Sequence, residues 1–201
     1  MQNFLNHLAH YRIWLASRSP RRQQLLKDMH IPYQVWLKEE ADERYPTGMT
    51  PMDVAQFLAR QKAQPFLAEL SEEDLLITAD TIVVLDDTIL GKPVDREDAI
   101  RILSALAGHT HEVITGVGLW SREREAIFHA RTQVSFDDLS FSEIEEYVDV
   151  CQPFDKAGAY GIQEWIGFVG IQRIEGSFYN VMGLPIHLLY RELQKFTNFK
   201  A

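Results

Sequence analysis

The chain has 201 residues, enough for one domain or two closely joined lobes around a buried core. Hydrophobic residues make up 46% and charged residues 24%, the balance of a soluble globular protein, and no apolar run approaches the roughly 18 residues that span a bilayer. A formal net charge of −9 argues against a nucleic-acid binder that relies on a broad basic surface, while a single cysteine, Cys151, and the lack of a basic-then-apolar leader point to a reducing cytoplasm.

Residues 13–16 read as a short strand, residues 17–22 as a tight polar turn, and Leu25, Leu26 and Met29 as the apolar side of a helix. Ser19 occupies the N-cap position and Pro20 the first helical position, where its missing N–H costs nothing. The positive end of that helix would face the turn, and Arg18, Arg21 and Arg22 concentrate there in an otherwise acidic protein. Such a turn attracts anions, phosphate above all; an ordinary capped helix with solvated arginines gives the same local pattern.

Residues 31–37 read as a second strand, followed by an acidic irregular segment. Residues 51–70 form a helix capped by Thr50, with Val54, Phe57, Leu58 and Ala63 on one side and Lys62 near its middle. Residues 75–85 are a strand buried on both faces, turning at Asp86 and Asp87 into a short return over 89–93. A helix over 95–106 ends before Gly108, and 111–119 with 125–136 make an antiparallel pair. A capped helix opens at 140–148; 155–161 is too glycine-rich for a regular element. The spacing then predicts a strand over 168–174, a loop over 176–183 and an amphipathic helix over 185–196. Strands and helices alternate, so the class is α/β, with a mixed sheet favoured over a purely parallel one and no linker dividing the chain.

Asp80 stands out because a carboxylate within an apolar strand is costly unless paired, metal-bound or facing a cleft. It could deprotonate a water or hold a divalent ion; a strand aspartate satisfied by neighbouring backbone is the bland alternative. Lys92, between Gly91 and Pro93, could serve as a fixed point charge against phosphate, and Lys156 lies among small residues that let a ligand approach. The Gln163 amide offers a donor and an acceptor to a base edge. Glu40, Asp42 and Glu43 are candidate oxygen ligands for Mg²⁺. His109 and His111 lack a third partner for zinc, Cys151 lacks a histidine partner, and no P-loop occurs. Together these groups favour metal-assisted attack of water on a phosphoanhydride, the chemistry of a nucleotide hydrolase.

The segments LASRSPRRQQLL (15–26), DE (42–43), LARQKA (58–63), TADTIVVLD (78–86), LGKP (90–93), LSALAGHTHEVITGV (103–117), DKAGAYGIQ (155–163) and GSFYNVMGLPI (176–186) stand in the order seen in one family. The chain resembles the Maf nucleoside triphosphate pyrophosphatases, also described as septum-formation inhibitors. The resemblance implies a cytoplasmic enzyme that cleaves between the α- and β-phosphates with Mg²⁺ or Mn²⁺. It also implies a mixed, elongated twisted sheet flanked by helices, in two lobes around a deep cleft like the inosine triphosphate pyrophosphatases, all one Maf-like domain over 1–201. By position Asp80 becomes the proton acceptor; Ser17, Ser19, Arg21 and Arg22 line the triphosphate, reinforced by Lys62 and Lys92, with Lys156 a further phosphate-binding candidate on its residue type alone; Glu43 serves the metal or the water, with Asp80 the other metal candidate. Arg21, Thr81 and Gln163 together look like the dTTP/UTP branch. Rival readings are a 7-methyl-GTP or modified-purine pyrophosphatase and a nucleotide-binding regulator of cell division. The expected partner is the nucleotide alone, without nucleic acid or membrane, and the family is compatible with a homodimer. This chain departs from the family's pattern at Gln152, where many members have an acidic residue, and at Glu164, where many have glycine.

Overall fold

The computed structural model describes residues 2–39 and 44–199. Among these, seven strands form one mixed sheet in the order β2-β1-β3-β5-β6-β7, with β4 paired to β3 off this path. The strands are β1 (Arg12–Leu15), β2 (Gln34–Val35), β3 (Asp74–Leu85), β4 (Thr88–Leu90), β5 (Thr110–Trp120), β6 (Glu125–Phe136) and β7 (Ile171–Glu175). The helices are α1 (Gln2–Leu8), α2 (Pro20–Asp28), α3 (Pro51–Leu67), α4 (Arg96–Leu106), α5 (Phe141–Cys151), α6 (Trp165–Val169), α7 (Phe178–Val181) and α8 (Ile186–Phe196), with a 3₁₀ turn at Ala157–Ala159. The mixed α/β class is the one expected from the alternation of elements. No described helix is long and apolar enough to cross a membrane.

The chain divides into two compact units, one of residues 1–80, 115–130 and 183–201, the other of residues 81–114 and 131–182. In the first, β1 pairs in parallel with both β2 and β3, the crossovers running through α2 and α3. Its interior includes Ala63, Phe66, Leu70, Leu76 and Trp120, with Trp14 and Trp36 packed alongside. The polar residues that interrupt β3 are each satisfied. Asp74 accepts from Arg12, Trp14 and Ser71. The Thr78 hydroxyl accepts from the Trp120 indole at 2.9 Å and donates to the Ala59 carbonyl at 2.8 Å.

In the second unit β3 and β4 form a hairpin turning at Asp86 and Asp87, both at positive φ, which is the twist-matched turn such hairpins favour. Its core gathers Ile102, Leu103, Leu106, Val113, Phe136, Tyr147, Tyr160 and Ile166. Buried in that core, His111 bonds the Tyr160 hydroxyl through Nε2 at 2.8 Å, and its desolvation pushes the imidazole pKa down to about 4.

Three expectations need correction. Residues 31–37 yield only the two-residue β2, because it is an edge strand bonded to β1 alone and Pro32 removes a donor. Residues 168–174 do not make one strand. The chain first winds through α6, which buries only Ile166, then caps at Gly170 and enters β7. Gly167 permits that turn: a Cβ there would sit 1.9 Å from the Ile162 carbonyl oxygen. Residues 176–183 contain the short helix α7, capped by Ser177, whose Asn180 is buried and donates to the Val113 carbonyl.

Candidate active site

The β1–α2 turn forms as its residues dictate. Ser19 is the N-cap of α2 and accepts from the Arg22 amide, with Pro20 at the first helical position. Ser17 is buried, and its hydroxyl accepts from the Ser19 amide at 3.2 Å. Arg22 turns back over the turn: Nε donates to the Gly183 carbonyl at 2.7 Å and Nη1 to the Ala79 carbonyl at 2.8 Å. Arg22 thus pins the turn to the β3 residue immediately before Asp80. Arg21 is half-buried and Arg18 exposed.

Asp80 is 6% exposed, and one of its oxygens, Oδ1, bonds the Lys62 ammonium from α3. Lys62 was expected to reinforce a phosphate site; the structure makes it the counter-ion of the buried carboxylate, which answers how β3 tolerates a charge. The first unit therefore brings Ser17, Ser19, Arg22, Lys62 and Asp80 into one chain of contacts through Ala79.

The other expected residues belong to the second unit. Thr81 is half-buried and Lys92 exposed in its Gly-Lys-Pro turn. The Gly91 carbonyl of that turn accepts from the Gly158 amide at 3.0 Å, which joins it to the 155–163 loop. Lys156 is buried and pairs with Asp155 at 2.7 Å and Glu164 at 3.1 Å. Gln163 is half-buried, and its Oε1 is a buried acceptor without a hydrogen-bond partner among the described residues. Glu40, Asp42 and Glu43 lie outside the described residues. Sequence reasoning did not single out Tyr147, whose hydroxyl donates to Glu164 and accepts from the Gly161 amide; it is buried on the same face of α5 as Ile144 and Val148, a spacing that by itself signals core rather than function.

Among the described residues no group of three or more His, Cys, Asp and Glu side chains gathers to hold an ion. Mg²⁺ is commonly held by one or two carboxylates together with phosphate oxygens, and Asp80 is a described carboxylate whose chemistry fits such a set.

These features define a class: an α/β protein with a serine-capped, arginine-bearing turn docked beside a buried strand aspartate. A family model described as Maf-like protein matches residues 12–196, and the chain belongs to that family. It is 49% identical over 194 residues to a dTTP/UTP pyrophosphatase of Porphyromonas gingivalis, covering 96% of this chain and 98% of that one. It is 50% identical over 191 residues to a dTTP/UTP pyrophosphatase of Bacteroides fragilis, covering 95% and 99%. The solved Staphylococcus aureus Ham1 protein matches with a TM-score of 0.51 at 17% identity, covering 92% of this chain and 99% of that one, a likeness of fold alone.

Proposed function

We propose that the protein is a nucleoside triphosphate pyrophosphatase that hydrolyses dTTP and UTP at the α–β phosphoanhydride, releasing the nucleoside monophosphate and pyrophosphate in the cytoplasm. The observation that carries this reading is near-half identity, over almost the full length of both chains, to relatives described as dTTP/UTP pyrophosphatases. The N-terminal end of α2, with Ser17, Ser19 and Arg21, holds phosphate oxygens through backbone amides, hydroxyls and charge. Arg22 keeps that turn in place. Asp80 accepts the proton of the attacking water, and Lys62 fixes one carboxylate oxygen so that the other is aimed. Lys92 contributes a point charge against the developing negative charge, and Thr81 lies next to Asp80 in the chain.

A divalent ion, held by Asp80 and by Glu43, would supply further charge neutralisation on the phosphates. On the base side, the unpartnered Oε1 of Gln163 accepts the N3–H that thymine and uracil carry and cytosine lacks. The test is a panel of dTTP, UTP, CTP, GTP and 7-methyl-GTP with Mg²⁺, comparing wild type with Gln163→Ala. Selective hydrolysis of dTTP and UTP that collapses in the variant supports the reading; a purine preference, or a ranking the variant leaves unchanged, defeats it.

A further inference from the structure

The carboxylate of Glu164 does not cap the helix it precedes. Glu164 is the N-cap residue of α6 yet makes no capping bond. Its side chain folds back over the 155–164 loop, with Oε1 3.1 Å from Lys156 Nζ and Oε2 accepting from the Tyr147 hydroxyl. That hydroxyl in turn accepts from the Gly161 amide at 3.1 Å. One network thus grips the loop near its start, its middle and its end. The Lys156 side chain is 9% exposed and Tyr147 only 2%, so each group depends on the others for its hydrogen bonds and charge balance.

The backbone is shaped to admit the arrangement. A Cβ on Gly161 would lie 2.6 Å from Glu164 Cδ, so only glycine lets the carboxylate fold over it. Gly158 has φ +72°, and a Cβ there would lie 2.8 Å from the Val83 side chain. Burial, with Glu164 beside it, pushes the Tyr147 phenol up, so it remains a donor at neutral pH. Between the gripped Gly161 and Glu164 stand Ile162, buried at 3%, and Gln163 with its unpartnered acceptor.

We propose that Tyr147 and Glu164 are positioning residues for base selection: by clamping the 155–164 loop through Lys156 and Gly161, they hold the Gln163 carboxamide in the orientation that accepts a pyrimidine N3–H. The proposal rests on the pyrophosphatase reading above and deepens it. It also reassigns Lys156, whose ammonium is committed to two carboxylates, from phosphate binding to loop fixation.

The experiment is a double-mutant cycle on the full chain, with UTP and CTP as probes and Mg²⁺ present. Removing one hydrogen bond in Tyr147→Phe is expected to raise KM for UTP by about five- to tenfold with kcat within about twofold, and to lower the UTP-over-CTP preference by a similar factor. Glu164→Gln, which keeps the shape and removes the charge, shifts the preference in the same direction. Because both act through Gln163, Tyr147→Phe adds nothing to the preference already lost in Gln163→Ala. Additive losses, or equal losses with UTP and CTP, overturn the proposal. If the wild type hydrolyses none of the nucleotides, the pyrophosphatase reading fails on its own, and hydrogen exchange decides the clamp. Amides of Gly161 and Gln163 that exchange at least about tenfold faster in Tyr147→Phe sustain loop positioning, and unchanged exchange refutes it.

Discussion

The turn of residues 17–22 and the loop of residues 155–164 both place cations near backbone amides, yet they are held in different ways. In the first, the side chains act on main chain: Ser19 caps α2, and Arg22 binds the carbonyls of Ala79 and Gly183. In the second, side chains act on one another, through Lys156, Glu164 and Tyr147, and the Tyr147 hydroxyl also takes the Gly161 amide, beside backbone bonds such as that from Gly158 to Gly91. A helix terminus supplies its own polarity and needs little else to receive an anion. The glycine-rich loop has no such terminus, and a buried polar network supplements its few backbone bonds. Under the proposed function, phosphate binding falls to a helix terminus, and base selection to a loop braced by a side-chain network as well as by backbone bonds.

The comparison can be broken most severely at the buried charge of the first unit. Asp80→Asn keeps the size and removes the proton acceptor, so turnover should fall by about 10²- to 10⁴-fold while the far-UV spectrum stays native; retained turnover would remove Asp80 from the reaction. Next comes acid. His111 takes its proton near pH 6.5 when unfolded and near 4 when folded, so the unfolded chain binds more protons in that window and stability is lost as the pH drops through it. The loss approaches about 3 kcal/mol by pH 4, measured as urea midpoints at pH 7, 5.5 and 4, and His111→Gln should flatten it.

The first unit has a group that titrates with the same sign in a more acidic window. Burial alone would raise the Asp74 carboxyl, but Arg12, Ser71 and Trp14 hold it well below the usual carboxylate range. Its contribution is complete above the ordinary carboxylate pKa of 3.8 and is lost only on further acidification. An Asp74→Asn variant should therefore share the wild-type slope between pH 7 and 4.

Smaller effects follow from steric fit and capping. A Cβ at Gly116 would sit 2.2 Å from the Ala55 carbonyl oxygen, where α3 lies against β5, so Gly116→Ala should cost about 2 kcal/mol in a denaturant titration. Ser19→Ala removes the α2 cap and should cost about 1 kcal/mol. It should also raise KM for every nucleotide alike, in contrast to the base-dependent effect of Tyr147→Phe.

Local chemistry made much of the fold readable. Ser19-Pro20 and Thr50-Pro51 announced two helix starts, and the apolar run holding Asp80 marked a central strand. Edges and short turns were harder. Phe168 and Val169 carry strand propensity, but they are exposed in α6, where Gly167 and Gly170 decide the path. At the site, single residues were legible from their oddity: a charge in a strand, arginines in an acidic chain. Their partners were not. Lys62 with Asp80, Arg22 with Gly183 and Tyr147 with Glu164 are tertiary pairs, and neither periodicity nor composition carries such information. Glu164 showed in the sequence only as a departure from the family's glycine.

The most direct measurement is phosphorus-31 NMR of the products formed from UTP and dTTP by the wild-type protein with Mg²⁺. Cleavage at the α–β bond gives a nucleoside monophosphate signal and pyrophosphate in equal amounts, with no nucleoside diphosphate. Orthophosphate together with UDP or dTDP would contradict the account.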